Sequence, residues 1–238
     1  MIITIARQLG SGGAQVGQLV ARRLNIPYLD RHILQRVAQQ AELSEEAIED
    51  SDERRPTLLE RMAGFTIQAL PFSESSEEYP LPGENAAYES EYDAHRYLME
   101  STILEIARQG SAVIAGRGGQ VVLREHREAL HVFIQAPDAV RVERVARSDG
   151  ISLEEARRKV EASDRNRAGY LRVGYRVDWR DPRLYDLAIN TARIGPEEAA
   201  DLIVRFAQAV SAGSGIPSYR TSTMAEVPMD HSPPAEAR

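Results

Sequence analysis

The sequence of 238 residues predicts an α/β fold, in which a five-stranded parallel sheet lies between two layers of helices. The prediction depends first on short apolar segments that alternate along the chain with segments of helical periodicity. It depends second on glycine-rich or polar turns that directly follow several of these apolar segments. Nearly continuous apolar strands that alternate with helices are typical of parallel sheets covered on both faces. We expect the strands at residues 2–6, 27–30, 112–115, 130–134 and 184–190.

Helices are expected between and after these strands, and capping residues mark several of them. Ser44 is a favourable N-cap, Gly110 follows the end of a helix, and Pro196 stands in the first turn of another. The helices are expected at residues 14–24, 31–40, 44–51, 92–109, 139–147, 152–167 and 196–210.

Charge and composition divide the chain into regions. Acidic residues gather at 42–105, where we expect an insertion whose long acidic part covers residues 50–92. Nine arginines lie in the region 138–176, which we expect to form a helical lid. The last residues are rich in serine, glycine and proline, which is typical of disorder. We therefore expect one domain over residues 1–210 and a disordered tail over residues 211–238.

The composition argues against several functional classes. The chain has no cysteine, which excludes disulfides and thiolate metal sites and makes the cytoplasm the expected compartment. A formal net charge of −7 argues against a general nucleic-acid-binding protein. No apolar run reaches the roughly 18 residues of a membrane span, and the early first strand leaves no space for a signal peptide. We therefore expect neither nucleic acid nor membrane as a partner, and the oligomeric state stays open.

The glycine-rich turn after the first strand has the arrangement of a phosphate-binding loop. Glycines let successive backbone N–H groups converge on an anion, and the next helix adds partial positive charge at its N-terminus. The P-loop pattern G-x-x-x-x-G-K-[ST] nevertheless fails at three positions, since Arg7, Gly13 and Ala14 replace its first glycine, its lysine and its hydroxyl residue. We predict that the phosphate-binding residues are Gly10, Ser11, Gly12 and Gly13.

Two strand-end residues are candidates for catalysis. Arg7 either supplies the charge of the missing lysine or binds carbonyl groups at the end of the strand. Asp30 either orients Mg²⁺-bound water or an acceptor hydroxyl, or caps the next helix. The five histidines have no metal-ligand spacing, so we assign no protein side chain as a direct metal ligand.

Arginines supply further candidates. Arg36 and Arg117 suit phosphate binding, because a guanidinium donates two parallel hydrogen bonds, although each alone is equally a surface arginine. Arg141, Arg144 and Arg147 recur every three residues along one side of a helix. They belong either to a lid that closes over phosphates or to surface ion pairs with nearby glutamates.

A pair on the following helix has two interpretations. Asp164 and Arg167 lie one turn apart, so they either read the edge of a nucleotide base or form an intrahelical salt bridge. For Trp179, packing on the sheet and covering a nucleotide are both open.

Several segments, in this order, resemble the nucleoside monophosphate kinases and most closely the cytidylate kinase-like group. The arginine and the Gly-Ser-Gly-Gly turn of residues 3–13 are similar to that group's own loop. The turn Gly116-Arg117-Gly118 is similar to a Gly-Arg-Asp turn, with Gly118 in place of the aspartate. The other similar segments are residues 28–31 with Arg36, residues 163–168 and residues 185–191.

The resemblance covers roughly residues 1–210 and implies transfer of the ATP γ-phosphoryl group to CMP or dCMP, with Mg²⁺. It implies a P-loop fold with a mobile lid, and an acceptor-binding role for the region 42–105. Under this resemblance, the catalytic candidates are Arg7, Asp30 and Arg144. The acceptor-binding candidates are Arg31, Arg36, Arg117, Asp164 and Arg167. The lid candidates are Arg141 and Arg147, and the residues expected near adenine are Asn190 and Thr191.

Two alternatives stay open beside a cytidylate kinase-like phosphotransferase. The missing lysine, together with Ala14 and Gly118, favours a nucleotide-binding regulatory protein of kinase descent. The long acidic insertion favours a kinase for another small acceptor, since acidic residues repel a nucleotide. The expected partners in every case are small molecules, and the enzyme readings add ATP and Mg²⁺ as cofactors.

Overall fold

The computed structural model describes residues 1–30, 32–34 and 86–212, with the side chains of residues 86–95 excepted. The expected helix at 44–51 and most of the one at 31–40 lie outside the described residues. So do Arg31, Arg36, the larger part of the acidic insertion and residues 213–238 of the expected tail.

Within the described residues, five parallel strands form the centre of the protein. They are β1 (Ile2–Arg7), β2 (Tyr28–Leu29), β3 (Ala112–Ala115), β4 (Ala129–Gln135) and β5 (Leu187–Asn190). Their spatial order is β2-β3-β1-β4-β5, so the first strand of the chain lies in the middle of the sheet. The predicted parallel α/β sheet is confirmed, and β3 has the predicted bounds.

The helices of the described residues connect these strands or follow the last one. They are α1 (Gly13–Leu24), α2 (Ala86–Gln109), α3 (Gly119–Val122), α4 (Asp138–Asp149), α5 (Leu153–Tyr175) and α6 (Pro196–Ser211). Ser152 begins α5 with a capping box that it forms with Glu155. Arg176 ends α5 in the left-handed conformation, with φ of 56°.

Several elements differ from the prediction, among them α2, which begins at Ala86 instead of at 92. The helix α5 extends to Tyr175 instead of ending at 167, because buried Tyr170 and Leu171 continue its packed face. The expected strand at 184–190 begins only at Leu187, because a 3₁₀ turn over Pro182–Leu184 comes first and proline favours the first position of a helical turn. The helix α3 was not predicted, since its four residues are too few to show helical periodicity.

Apolar side chains on the two faces of the sheet form separate clusters. Ile3 and Ile5 of β1 pack on one face with α1 and α6, whereas Ile2 packs on the other face with α2. Successive side chains of a strand point to opposite faces, so one apolar strand contributes to both clusters. This three-layer arrangement holds the strand ends, and the turns that follow them, in fixed relative positions.

Candidate active site

The carboxyl ends of the parallel strands bring together turns that are far apart in the sequence. The glycine-rich loop 8–13 follows β1, the turn 116–118 follows β3, and Thr191 follows β5. Ligands of open α/β sheets bind at this edge, in the crevice beyond the strand ends. The turns therefore lie at the carboxyl edge of the sheet, as the sequence predicted.

Two glycines give the loop its shape. Gly10 and Gly12 have φ of 76° and 74°, in the left-handed region that side chains disfavour. A Cβ atom added at Gly10 would lie 2.6 Å from the carbonyl oxygen of Arg141, so the loop packs directly against the backbone of α4. Gly12 is the N-cap of α1 and makes no side-chain cap bond.

Side chains from two other elements bind the carbonyl groups of the loop. Thr191 Oγ1 donates to the carbonyl oxygen of Ser11 at 2.6 Å. Arg144 donates to Thr191 Oγ1 at 3.0 Å and to the Thr191 carbonyl oxygen at 2.8 Å. Arg141 donates to the carbonyl oxygen of Leu9 at 3.3 Å. The first N–H groups of α1 have no intrahelical acceptor, so they are available for an anion.

Arg141 is held by an ion pair between α4 and α5. Its guanidinium, which is 1% exposed, donates to both carboxylate oxygens of Asp164 at 3.0 and 2.8 Å, and to Asp138 at 2.6 Å. Burial alone would lower the pKa of Arg141, but the two carboxylates more than offset this effect and raise the pKa above its ordinary value. Arg141 is therefore a fixed support of the loop in this structure.

Gly10→Ala should lower the free energy of unfolding more than Gly150→Ala, although both residues have positive φ. Alanine at either position has a conformational cost of about 1–2 kcal/mol in the left-handed region. At Gly10 the new Cβ also meets the Arg141 backbone, whereas at Gly150 no atom lies within 4 Å. Urea denaturation of both variants measures the difference, and equal losses would contradict the close approach of the loop to α4.

Beside the loop, a solvent-open pocket lies between the ends of β1 and β3 and the helix α5. Among the described residues, ten line this pocket; three of them are arginines, namely Arg7, Arg117 and Arg167, and none of these ten is acidic. Arg117 and Arg167 are 2% and 6% exposed, so two guanidinium groups lie largely out of water. Guanidinium groups that line one cleft favour an anionic ligand, because a cleft lined by one sign of charge raises the local concentration of the opposite charge.

The turn after β3 places Arg117 in this pocket. Arg117 has φ of 55°, an uncommon value for a residue other than glycine, and adjacent Gly116 and Gly118 also have positive φ. A Cβ atom at Gly118 would lie 3.1 Å from a ring carbon of Tyr175. Tyr175 and Leu171 therefore pack where an aspartate at position 118 would project.

Tyr170 is one of the described residues that line the pocket, and Tyr175 packs edge-to-face on it, with ring centroids 5.9 Å apart. Burial raises the pKa of the Tyr170 hydroxyl, although Tyr175 and the charge of Arg117 act in the opposite direction. Burial also raises the pKa of Tyr175, and Tyr170 and Glu100 add to this shift. Both phenols therefore stay protonated at neutral pH.

The structure shows other predicted residues in local contacts. Asp30 Oδ1 accepts hydrogen bonds from the N–H groups of His32 and Ile33 at 3.0 and 3.1 Å, so Asp30 caps the turn that follows β2. Asn190 Oδ1 accepts from the N–H of Ala192 at 3.0 Å. Arg147 is exposed, unlike Arg141 and Arg144 on the same helix.

Two residues of this region were missed or left open by the sequence. Gln8 is buried, and its Oε1 accepts from the N–H of Ala136 at 3.1 Å, which ties the loop to the end of β4. The sequence signal for a role of Gln8 was its position directly after an apolar strand. Trp179 lines the pocket and packs edge-to-face on Phe133, with ring centroids 5.6 Å apart. It therefore packs on the sheet and borders the pocket at the same time.

The described residues contain no group of three or more histidine, aspartate or glutamate side chains that could hold a metal ion. In the same part of the chain, no helix is both long and apolar enough to span a bilayer.

Comparison with known proteins identifies the family. The profile of the cytidylate kinase-like family matches residues 2–193. A cytidylate kinase from Pyrococcus horikoshii is 43% identical over 96 residues, which are 40% of this chain and 48% of that protein. Another, from Pyrobaculum arsenaticum, is 26% identical over 207 residues, which are 87% of this chain and 92% of that protein. The first of these matches, like several others, spans only about half the length of the curated relative.

A solved structure supports the fold. An uncharacterised protein from Eubacterium ventriosum superposes with a TM-score of 0.63 at 20% identity, over 88% of this chain and 99% of that one. The strand order and the position of the glycine-rich loop agree with a P-loop kinase fold. With a match over residues 2–193, the chain belongs to the cytidylate kinase-like family.

Proposed function

We propose that this protein transfers the γ-phosphoryl group of ATP to a nucleoside monophosphate, with CMP or dCMP as the acceptor. The observation that carries the proposal is the pocket with Arg7, Arg117 and Arg167, which adjoins a phosphate-binding loop at the carboxyl edge of the sheet. One site then binds the donor phosphates and the neighbouring one binds the acceptor phosphate.

The donor phosphates bind to the backbone of residues 10–13 and the first turn of α1. The support is the geometry of this loop, whose carbonyl groups are bound by protein donors while the first N–H groups of the helix are available. Arg144 and Thr191 keep the loop in this shape. The adenine ring is expected beside Asn190 and Thr191, which follow β5.

The acceptor phosphate binds between Arg117 and Arg167, because two guanidinium groups suit a dianion. A phosphate oxygen of the acceptor attacks the γ-phosphorus, the bond to the β–γ bridging oxygen breaks, and ADP and a nucleoside diphosphate are formed. Such transfer needs positioning and charge neutralisation rather than a covalent catalyst. Of the pair expected to read the base, Arg167 lines the pocket, whereas Asp164 binds Arg141.

Catalytic roles for Arg7 and Asp30, and acceptor contacts from Arg31 and Arg36, are part of the same proposal. Position 14 is alanine, so the chain lacks the hydroxyl residue that follows the lysine in the P-loop pattern. A bound magnesium ion would neutralise charge on the donor phosphates, and the described residues include no group of three carboxylate or histidine side chains that would hold it.

Coupled ADP release, with ATP and Mg²⁺ present, tests the proposal against CMP, dCMP, UMP, AMP, GMP and no acceptor. Turnover that depends on CMP or dCMP supports the proposal. Turnover with another acceptor alone assigns the pocket to that acceptor. ATP binding without turnover on any acceptor would contradict it.

A nucleotide-binding regulatory protein is the second candidate. The specific observation in its favour is the loop itself, where Gly13 and Ala14 lack the ammonium and hydroxyl groups of the P-loop pattern. Binding of ATP without any acceptor-dependent ADP release is the result that this candidate predicts.

A further inference from the structure

The side chain of Arg7 lies against the first residue of α1. A Cβ atom added at Gly13 would be 2.5 Å from Arg7 Cβ, 3.3 Å from its Cγ and 3.2 Å from its Cδ. The close atom is the Cβ of a residue in the central strand, not the end of a flexible side chain. No side chain fits at position 13 while Arg7 has this conformation.

This contact makes the residue types at the two positions mutually exclusive. Position 7 aligns with the first glycine of the P-loop pattern, and position 13 aligns with its lysine. A lysine at position 13 requires a residue without a side chain at position 7, as in the usual pattern. An arginine at position 7 requires glycine at position 13, as in this chain. The two departures from the pattern are therefore one coupled change.

The arginine stem leads from the loop to the pocket. Arg7 packs on Gly13, where the donor phosphates are expected, and it also lines the pocket with Arg117 and Arg167. A guanidinium has five N–H donors in a fixed plane, so one group can bind two neighbouring anions. The lysine of the usual pattern, by contrast, projects from the helix side of the loop.

We propose that Arg7 replaces the P-loop lysine, in an exchange that moves the cationic side chain from position 13 to position 7. We further propose that Arg7 contacts the phosphoryl group between the donor and acceptor sites. The inference rests on the proposed function for the acceptor side of that contact. The exchange itself concerns ATP binding and applies equally if the acceptor is another molecule.

A double-mutant cycle tests the exchange on the full chain, with Arg7→Gly, Gly13→Lys and their combination. Arg7→Met is added because methionine keeps an unbranched stem on Gly13 but has no charge. Arg108→Ala is the control, since Arg108 is exposed and lies at the end of α2, outside the site. Each variant is measured by urea denaturation, by calorimetric titration with ATP and Mg²⁺, and by ADP release.

We expect Arg7→Met to fold like the native protein and to bind ATP about tenfold more weakly or worse, because a charged hydrogen-bonding group is lost. Gly13→Lys alone should lose both stability and ATP affinity, since its Cβ overlaps Arg7. The combination of Arg7→Gly with Gly13→Lys should bind ATP about tenfold more tightly than either single variant.

Unchanged ATP affinity and turnover in Arg7→Met would overturn the role of Arg7. Additive losses in the double variant would overturn the coupling. The native protein could show no turnover on any acceptor while the ATP affinities of the variants are non-additive. This result would refute the proposed phosphoryl transfer but support the replacement of the P-loop lysine by Arg7. The two failures are therefore distinguishable.

Discussion

Arg117→Ala is expected to raise the KM for the nucleotide acceptor about 100-fold, through loss of about two charged hydrogen bonds to its phosphate. The midpoint of thermal unfolding should change little. Arg117 lines a solvent-open pocket, so water can fill the space that its side chain leaves. Acceptor saturation curves from coupled ADP release, with thermal unfolding alongside, measure both effects.

Arg158→Ala is a suitable control for this experiment, because Arg158 is an exposed arginine of α5 that pairs with Glu154. It should leave the acceptor KM unchanged. A large loss of stability in Arg117→Ala, with an unchanged KM for the acceptor, would instead identify Arg117 as a structural residue of the turn after β3.

Asp164→Ala should lower the free energy of unfolding by about 3 kcal/mol, because it leaves a buried guanidinium without its main carboxylate partner. Arg141 is 1% exposed and Asp164 is 12% exposed, so solvent replaces little of the lost interaction. The same change should weaken ATP binding, since Arg141 also binds the Leu9 carbonyl of the loop. Urea denaturation and calorimetric titration with ATP check the two effects.

Asp138→Ala provides the matched control, because Asp138 binds the same guanidinium but is 79% exposed. Its ion pair is largely screened by solvent, and its loss should cost at most about 1 kcal/mol. If the two aspartate variants were equally stable, Asp164 would not be the structural partner of Arg141. An effect of Asp164→Ala on acceptor binding alone would support the role in base recognition.

The sequence predicted the parts of the fold that depend on local pattern. Continuous apolar strands and a glycine-rich turn are local features, so the sheet, α1 and the position of the loop follow from them. The close approach of Gly10 to α4 is also visible in the sequence, as a glycine at a position where a Cβ atom would meet the Arg141 backbone. The single turn of α3 has no comparable signal in the sequence, because it is too short to show helical periodicity.

The partners of the charged side chains were beyond prediction. The sequence paired Asp164 with Arg167, one turn away, but the described contacts of Asp164 are with Arg141 on another helix and with Arg180. Spacing within a helix shows which residues can meet on that helix. It does not show how α4 and α5 cross, and the crossing decides which charge is buried against which.

The bond between Thr191 and the loop has a consequence for the order of events in folding. It joins residues that are 180 positions apart, so the loop reaches its final shape only after the last strand has joined the sheet. Contacts of such long range form late, since the entropy of closing the intervening chain must first be overcome. A chain emerging from the ribosome would therefore bind no nucleotide until almost the whole domain has been synthesised.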